Sequence, residues 1–417
     1  MNVLVLGSGG REHSICLNIS KSNKLKSLWC IPGNAGTKSI AKSSNIDLKN
    51  HEEVINFCKK KKINIVIPGS EEYLEAGIAD SLRLSDILVF GPSKESTKLE
   101  SSKIFTKKIC DIANIKTAKW KLFNNAAEAI NKIKSFKFPL VIKLDSLAAG
   151  KGVLVANSLK ESKVFLKKVK DGLIGKKTSK IIIEEKLVGE EASFFFIADG
   201  QTASYLGSAK DYKRVGDNNT GLNTGGMGCI SPSPKENNKN INTVLNKFIL
   251  PTLKTMNNLG YPFKGILYAG LMFTKKGIYL IEYNVRLGDP ECQSIFSRLK
   301  SDFLNIALMT EKHKLGKVKI RLDKKKSLCI VMASKGYPEK YKTGFEIQGL
   351  NNIKDSSVNI YHAGTAENNK KQTITNGGRV LNIVIREKTL ESAIFKGYNL
   401  IKKIKCSNIF FRNDIGS

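Results

Sequence analysis

Apolar residues in the N-terminal part of the chain come in short continuous runs separated by amphipathic stretches. The runs Val3 to Leu6, Leu28 to Ile31, Ile63 to Ile67 and Ile87 to Phe90 have the length and β-branched content of buried strands. Gly7, Pro32, Pro68 and Gly91 stand where each should give way to a loop. Between them, Glu52 to Lys62 (EEVINFCKKKK) places acids first and bases last, the order a helix dipole favours. This alternation predicts an α/β fold with a mostly parallel sheet under helices and with ligands at its carboxyl edge.

A second pattern begins near Lys103. It holds the apolar strand PLVIKLD, the run IIIEE at 181–185 and the strand IYLIEYN at 278–284. Leu245 to Met256 reads as a helix interrupted near Pro251, because proline lacks the amide hydrogen that a helix interior needs. From about Arg321 the runs Leu328 to Met332, Val358 to Tyr361 and Val380 to Ile385 alternate with glycines and lead to a helix around Leu390 to Lys403. These predict a small C-terminal α+β cap and three units, 1–102, 103–320 and 321–417.

Composition narrows the classes. The chain has 417 residues, 41% hydrophobic and 25% charged, which suits a folded multidomain protein. MNVLVLGSGG lacks a basic leader, and no apolar stretch approaches bilayer-spanning length, so a cytoplasmic protein without a membrane partner is expected. The eight cysteines and four histidines are dispersed without zinc or iron-sulfur spacing, and free thiols are the expected state. A net charge of +32 raises the possibility of nucleic-acid binding. The lysines run through the whole chain, without interleaved aromatics or a DNA-reading motif, and Asn and Ile are abundant beside them. A basic solvated surface, with no specific nucleic-acid partner, is the expectation.

Four segments carry chemistry. Gly7-Ser8-Gly9-Gly10-Arg11-Glu12-His13 follows a strand and opens a helix, so backbone amides and the helix N-terminus can meet an anion. A dinucleotide fingerprint would put glycine at position 12, where this chain has Glu12. A ribose phosphate suits the turn better, with Arg11 and the amides of Gly9 and Gly10 on phosphate and Glu12 on sugar hydroxyls or an amine. Lys143, in an apolar strand before the small-residue loop LAAGKGV with Gly150, Lys151 and Gly152, suits a triphosphate. In the 181–191 segment, backbone near Glu185 and Leu187 can read an adenine edge, and a later carboxylate can accept ribose hydroxyls. In IEYNVRLGDPE, period-two alternation predicts Glu282, Asn284 and Arg286 on one face of one strand, two hard oxygen ligands for magnesium and a cation for a phosphoryl group.

The segments GGREH, PGNAGT, LESSKIFTK, VIKLDSLAAGKGV, EEKLVGEEASF, KRVGDNNTGLNTGGMG, IEYNVRLGDPE, YHAGTA and NGGRVLN together resemble the phosphoribosylamine-glycine ligases, in the order found there and over nearly the whole chain. The resemblance implies a Rossmann-like substrate-binding domain at 1–102, an ATP-grasp domain at 103–320 and a C-terminal domain at 321–417. It implies ATP-dependent ligation of glycine to 5-phosphoribosylamine through a glycyl phosphate, in purine biosynthesis. Lys103, Lys143 and the 150–152 loop would contact ATP phosphates, and Glu184, Glu185, Leu187 and Glu191 would bind adenosine. Glu282 and Asn284 would hold Mg2+ or Mn2+. Gly9, Gly10, Arg11, Glu12, Glu71, Asp211, Lys213, Arg214 and Asp217 would meet phosphoribosylamine or glycine, with Arg286 and Lys143 at the reacting groups. A monomer or weak homo-oligomer is expected. Ser70, Tyr73, Leu144, Ser146 and Tyr212 depart from the family pattern.

Overall fold

The computed structural model describes residues 1–146 and 152–417. Its N-terminal unit is a parallel sheet of β1 (Asn2–Gly7), β2 (Ser27–Pro32), β3 (Ile65–Pro68) and β4 (Leu88–Val89) in the order β2-β1-β3-β4. Helix α1 (Gly10–Ile19) leaves β1, and α2 (His51–Lys61) crosses between β2 and β3. Asn50 caps α2 by accepting the Glu53 amide at 3.2 Å, and Lys62 ends it in the left-handed region at φ 52°. Helices α3 (Glu71–Ala76), α4 (Ile78–Arg83), α5 (Lys94–Ser101) and α6 (Lys103–Ile112) lead out of the unit.

A small antiparallel sheet follows. Strands β5 (Trp120–Phe123), β6 (Leu140–Leu144), β7 (Val153–Ala156) and β8 (Ile181–Glu185) pair in the order β5-β8-β6-β7, with α7 (Ala126–Lys132) and α8 (Leu159–Lys170) beside them. This sheet buries its own cluster, including Phe123, Ile142, Leu166 and Ile183. The remaining strands form a large sheet. Its first members are β9 (Glu190–Asp199) and β10 (Ala203–Asp211), after which a separate hairpin, β11 (Arg214–Gly216) and β12 (Thr220–Asn223), leads to β13 (Gly228–Ser231).

Helices α9 (Asn238–Val244) and α10 (Leu250–Asn258) are joined by a π-helical turn, Leu245–Ile249. The interruption expected near Pro251 therefore lies one turn earlier. Proline sits inside the first turn of α10, where its missing amide hydrogen costs little, and the wider turn before it absorbs the broken ladder.

Strands β14 (Lys264–Thr274) and β15 (Gly277–Asn284), helices α11 (Glu291–Arg298) and α12 (Phe303–Glu311), and β16 (Lys326–Ser334) come next. Then follow β17 (Val358–His362), the small hairpin β18 (Thr365–Glu367) and β19 (Thr373–Thr375), β20 (Arg379–Glu387), α13 (Leu390–Ile401) and β21 (Ile409–Phe410). The large sheet runs β15-β14-β9-β10-β13-β16-β20-β17, with β21 on β16. The C-terminal strands and α13 form the expected small α+β unit, and its sheet continues the central one. β13 supplies the seam, with Cys229 opposite Cys329, and burying that edge satisfies hydrogen bonds that a free cap would leave open.

Strand β9 explains the compact arrangement. Phe194 and Phe196 enter one hydrophobic cluster with Leu4, Leu6 and Val66, whereas Phe195 and Ile197 enter another with Val3, Val5 and Ile65. Both faces of the strand are therefore covered, and the N-terminal sheet shares its core with the large one.

Candidate active site

The end of β15 carries the sharpest group. Tyr283, Val285 and Leu287 are buried, while Glu282, Asn284 and Arg286 between them are half-buried and share the other side. The strand itself stops at Asn284, so Arg286 lies two residues beyond the strand predicted to carry all three. The reason is local: the Val285 amide donates to Glu100 Oε2 at 2.8 Å and not to a neighbouring strand. Among the described residues, neither the Glu282 nor the Asn284 side chain makes a hydrogen bond within the protein, and Glu282 makes no ion pair. Burial opposes ionisation of Glu282, but Lys213, Lys143, Lys103 and Arg286 outweigh it and hold its carboxyl below the usual range. An ionised carboxylate and an amide oxygen with open valences are what a hard cation needs, so the pair fits magnesium chemistry. Among the described residues no cluster of three or more His, Cys, Asp or Glu side chains is placed to hold a metal.

Arg286 is held by two acids. Its Nε donates to Glu71 Oε2 at 3.0 Å and its Nη2 to Glu100 Oε1 at 2.7 Å. The acids differ in environment. Glu71 opens α3; burial raises its pKa, but Arg286 and Arg11 overcome that and hold it at about 2. Glu100, with only 6% of its side chain exposed, is pushed up to about 7 by burial, against the pull of Arg286. Glu100 stands in the LESSKIFTK segment, but nothing local pairs it with Arg286, which lies 186 positions away.

The lysines approach from the small sheet and from α6. Lys143 Nζ contacts Glu184 Oε2 at 2.9 Å and the Ile281 carbonyl at 3.5 Å, linking β6 and β8 to β15. Lys107 closes the other side of that carboxylate at 3.0 Å from Oε1 and donates to Thr117 Oγ1 at 2.6 Å. Lys103 Nζ donates to the Ser146 carbonyl at 3.2 Å, and burial lowers its pKa. Ser102 caps α6 by accepting the Phe105 amide at 3.1 Å, which fixes Lys103 in the first turn. Lys107 lies one helical turn on, an i, i+4 relation that would have placed it beside Lys103 from sequence.

The adenosine candidates separate. Glu184 is buried between its two lysines, whereas Glu185 is exposed and accepts the Lys119 amide at 3.0 Å. Leu187 is half-buried, and Glu191 is exposed and paired with Lys213 at 2.9 Å. Gly152 is buried and its carbonyl accepts the Leu144 amide at 2.8 Å. Gly150 and Lys151 lie outside the described residues.

At the opening of α1, Glu12 folds back on its own turn. Its Oε2 accepts the Gly9 amide at 2.6 Å and its Oε1 meets Arg11 Nε at 2.8 Å. A side chain at Gly9 would stand 2.6 Å from Glu12 Oε2, and one at Gly10 would run into the Asn382 amide. Arg11 Nη1 donates to the Leu287 carbonyl at 3.0 Å, which ties this turn to the loop that carries Arg286. Another wall includes Ser193, Asp211, Lys213, Tyr268 and Glu282. Burial, reinforced by Glu291, pushes the Asp211 carboxyl well above its ordinary range, and its Oδ1 has no hydrogen-bond partner among the described residues. Arg214 donates to the Gly221 carbonyl at 2.6 Å, while Asp217 accepts from Asn413 at 2.8 and 3.1 Å. Ser70 precedes α3 without a side-chain cap, and Leu144 and Tyr212 are buried.

Lysines of a small antiparallel sheet and of α6, set against the end of a large-sheet strand that presents an open Glu-Asn pair, are the arrangement of an ATP-grasp ligase. The family models agree along the chain. Residues 1–100 match the phosphoribosylglycinamide synthetase N domain, 101–292 its ATP-grasp (A) domain and 327–417 its C domain. The phosphoribosylamine-glycine ligase of Mesorhizobium japonicum is 44% identical over 416 residues, covering 100% of this chain and 98% of the relative. The chloroplastic enzyme of Arabidopsis thaliana is 42% identical over 97% of this chain and 78% of its own length. The crystal structure of the Thermotoga maritima enzyme superposes with a TM-score of 0.85 at 32% identity, covering 100% of both chains. A biotin carboxylase domain from Hydrogenobacter thermophilus shares the fold at a TM-score of 0.75 and 15% identity, over 98% of this chain and 91% of its own. The chain belongs to the phosphoribosylamine-glycine ligase family and is an ATP-dependent ligase of purine biosynthesis. Among the described residues no helix is long and apolar enough to cross a membrane.

Proposed function

We propose that the chain activates glycine as glycyl phosphate and transfers the glycyl group to 5-phosphoribosylamine. The observation that carries this reading is the junction at Arg286. Arg11 reaches the Leu287 carbonyl at 3.0 Å, so the glycine turn of the N-terminal unit adjoins the strand end that presents Glu282, Asn284 and Arg286. A carboxylate near Arg286 lies between the phosphate-binding lysines and the ribose-phosphate turn.

In the first step a glycine carboxylate oxygen bonds to the γ-phosphorus of ATP, the bridging bond to the β-phosphate breaks, and ADP leaves. In the second, the amine nitrogen of phosphoribosylamine bonds to the activated carbonyl, the bond from carbon to the phosphate oxygen breaks, and phosphate and a proton depart. Arg286 orients the reacting carboxylate and, with Lys143 and Lys103, takes up charge on the transferring group. Arg11 and the amides of Gly9 and Gly10 hold the ribose phosphate, beside Glu12 and Glu71. Asp211, Lys213, Arg214 and Asp217 belong to the wall that meets glycine or phosphoribosylamine. Glu184, Glu185, Leu187 and Glu191, with the 150–152 loop, form the nucleotide side. Glu282 and Asn284 would hold Mg2+ or Mn2+, which supplies neutralisation of the β- and γ-phosphates. The protein works in the cytoplasm as a monomer or weak homo-oligomer, in units 1–102, 103–320 and 321–417.

ADP release measured with ATP, glycine and freshly made phosphoribosylamine, each omitted in turn, tests this reading. Turnover should require all three. Equal turnover with another amino acid, or without phosphoribosylamine, would discard it.

A further inference from the structure

The hairpin β11–β12 has almost no core of its own. No residue of its turn, Asp217–Asn219, is buried, and Thr220–Asn223 are exposed throughout. Asn218 and Asn219 both take left-handed backbone conformations, at φ 55° and 56°. Such a turn needs outside support to keep one shape.

That support comes from the last residues of the chain. Arg412, with 1% of its side chain exposed, donates from Nη1 to the Arg214 carbonyl at 3.0 Å. Its Nη1 and Nη2 reach Asn219 Oδ1 at 3.2 and 3.3 Å. Asp414 fixes the guanidinium fork at 2.8 and 2.6 Å, and the fork lies over the Tyr212 ring at 5.3 Å. Asn413 donates twice to Asp217, and the Asn218 amide donates to Asp414 at 2.8 Å. The tail is itself anchored: Tyr398 of α13 donates to the Arg412 carbonyl at 2.9 Å, and its hydroxyl accepts the Ile415 amide at 2.9 Å. Ile415 is fully buried. Tyr212 stands between the hairpin and the tail, accepting the Gly416 amide at 3.1 Å and donating to the Ser417 carbonyl at 3.2 Å.

We propose that the tail at 412–417 is a clamp for this hairpin, and that Arg412 is a positioning residue for the substrate wall that Asp211 and Lys213 build next to Glu282. The role in substrate binding rests on the function proposed above; the clamp itself does not. A bidentate guanidinium suits the task because it engages a backbone carbonyl, an amide oxygen and an aromatic face together, which an ammonium cannot. Releasing the hairpin lowers the fraction of protein with a formed wall, and apparent affinity falls in proportion.

The test uses the full chain with Arg412→Met, Arg412→Lys and the milder Asn413→Ala, whose side chain is exposed and whose loss leaves the core intact. Lys213 and Arg214 are tryptic sites in or next to the hairpin. Cleavage after them should quicken by roughly tenfold in Arg412→Met, the factor commanded by one charge-assisted hydrogen bond. Arg412→Lys should not restore protection, and Asn413→Ala should show a smaller increase. Glycine or phosphoribosylamine at saturation should slow that cleavage, because substrate binds only the formed wall, and their KM should rise only as far as the formed fraction falls, with kcat and the KM for ATP close to the parent's. Parental cleavage rates in all folded variants would overturn the clamp. Faster cleavage in Arg412→Met that neither glycine nor phosphoribosylamine slows would overturn the hairpin's place in the substrate wall. Failure of the parent to use phosphoribosylamine would instead strike the functional reading and leave the proteolysis result standing.

Discussion

Glu184 and Glu282 occupy similar places in two sheets, each near the end of an antiparallel strand, and Lys143 bridges the two strands. Their surroundings divide them. Glu184 is ion-paired through both carboxylate oxygens, with Lys143 near one and Lys107 near the other, and the side chain is 5% exposed. Glu282 faces cations on several sides but makes no ion pair within the described residues, and its neighbour Asn284 is equally open. The difference teaches that an acid at a strand end stays available to a ligand when the protein leaves its valences unfilled. An acid paired with lysines of the protein instead positions those lysines, and here Glu184 holds Lys143 and Lys107.

The largest effect expected from this contrast is on stability. Glu184→Ala leaves two buried ammonium groups without their shared partner, and the loss should be about 3–5 kcal/mol in urea unfolding. A loss below about 1 kcal/mol would mean that the lysines find other partners and that the contrast is false. Glu282→Gln should leave the fold intact, because among the described residues its side chain makes no hydrogen bond and no ion pair. Its rate should fall by roughly a hundredfold or more, with glycine-dependent isotope exchange within ATP lost if the parent shows it. A folded Glu282→Gln protein with rate and magnesium dependence within a few-fold of the parent would remove the strand end from the metal site.

The two acids on Arg286 sharpen the comparison through pH. Glu71 sits at about 2 against an ordinary 4.5, so the folded protein binds fewer protons there than the unfolded chain and stability should rise with pH through that window. Glu100 sits at about 7 against 4.5, so the folded protein keeps a proton that the unfolded chain releases, and stability should fall as pH rises from 4.5 to about 7. Urea unfolding of Glu100→Gln across this range should lose the falling limb; its persistence would assign that limb to another group. The smallest effect is expected at Glu185, next in sequence to Glu184 but exposed. Glu185→Ala should change stability by no more than about 0.5 kcal/mol, and a larger loss would erase the distinction between buried and solvated acids on this strand.

Much of the fold was legible in the sequence because its signals are local. β1, β2 and β3 end at Gly7, Pro32 and Pro68 as their punctuation indicated, and α2 differs from its expected bounds by a residue at each end. The alternation at Glu282, Asn284 and Arg286 was likewise readable from a period of two. Lys107 was within reach too, since helical periodicity sets it beside Lys103.

The sequence by itself determined the strand-helix alternation, the motif order and hence the family, because periodicity and short motifs act over a few residues. Tertiary structure decided the rest. It joined the C-terminal strands to the central sheet through Cys229 and Cys329, set Glu100 against Arg286 and brought Arg412 to Asn219. Each of these depends on polar groups far apart in the chain meeting in a desolvated place. There the cost of burying an unpaired polar group, and not any local preference, selects the partner.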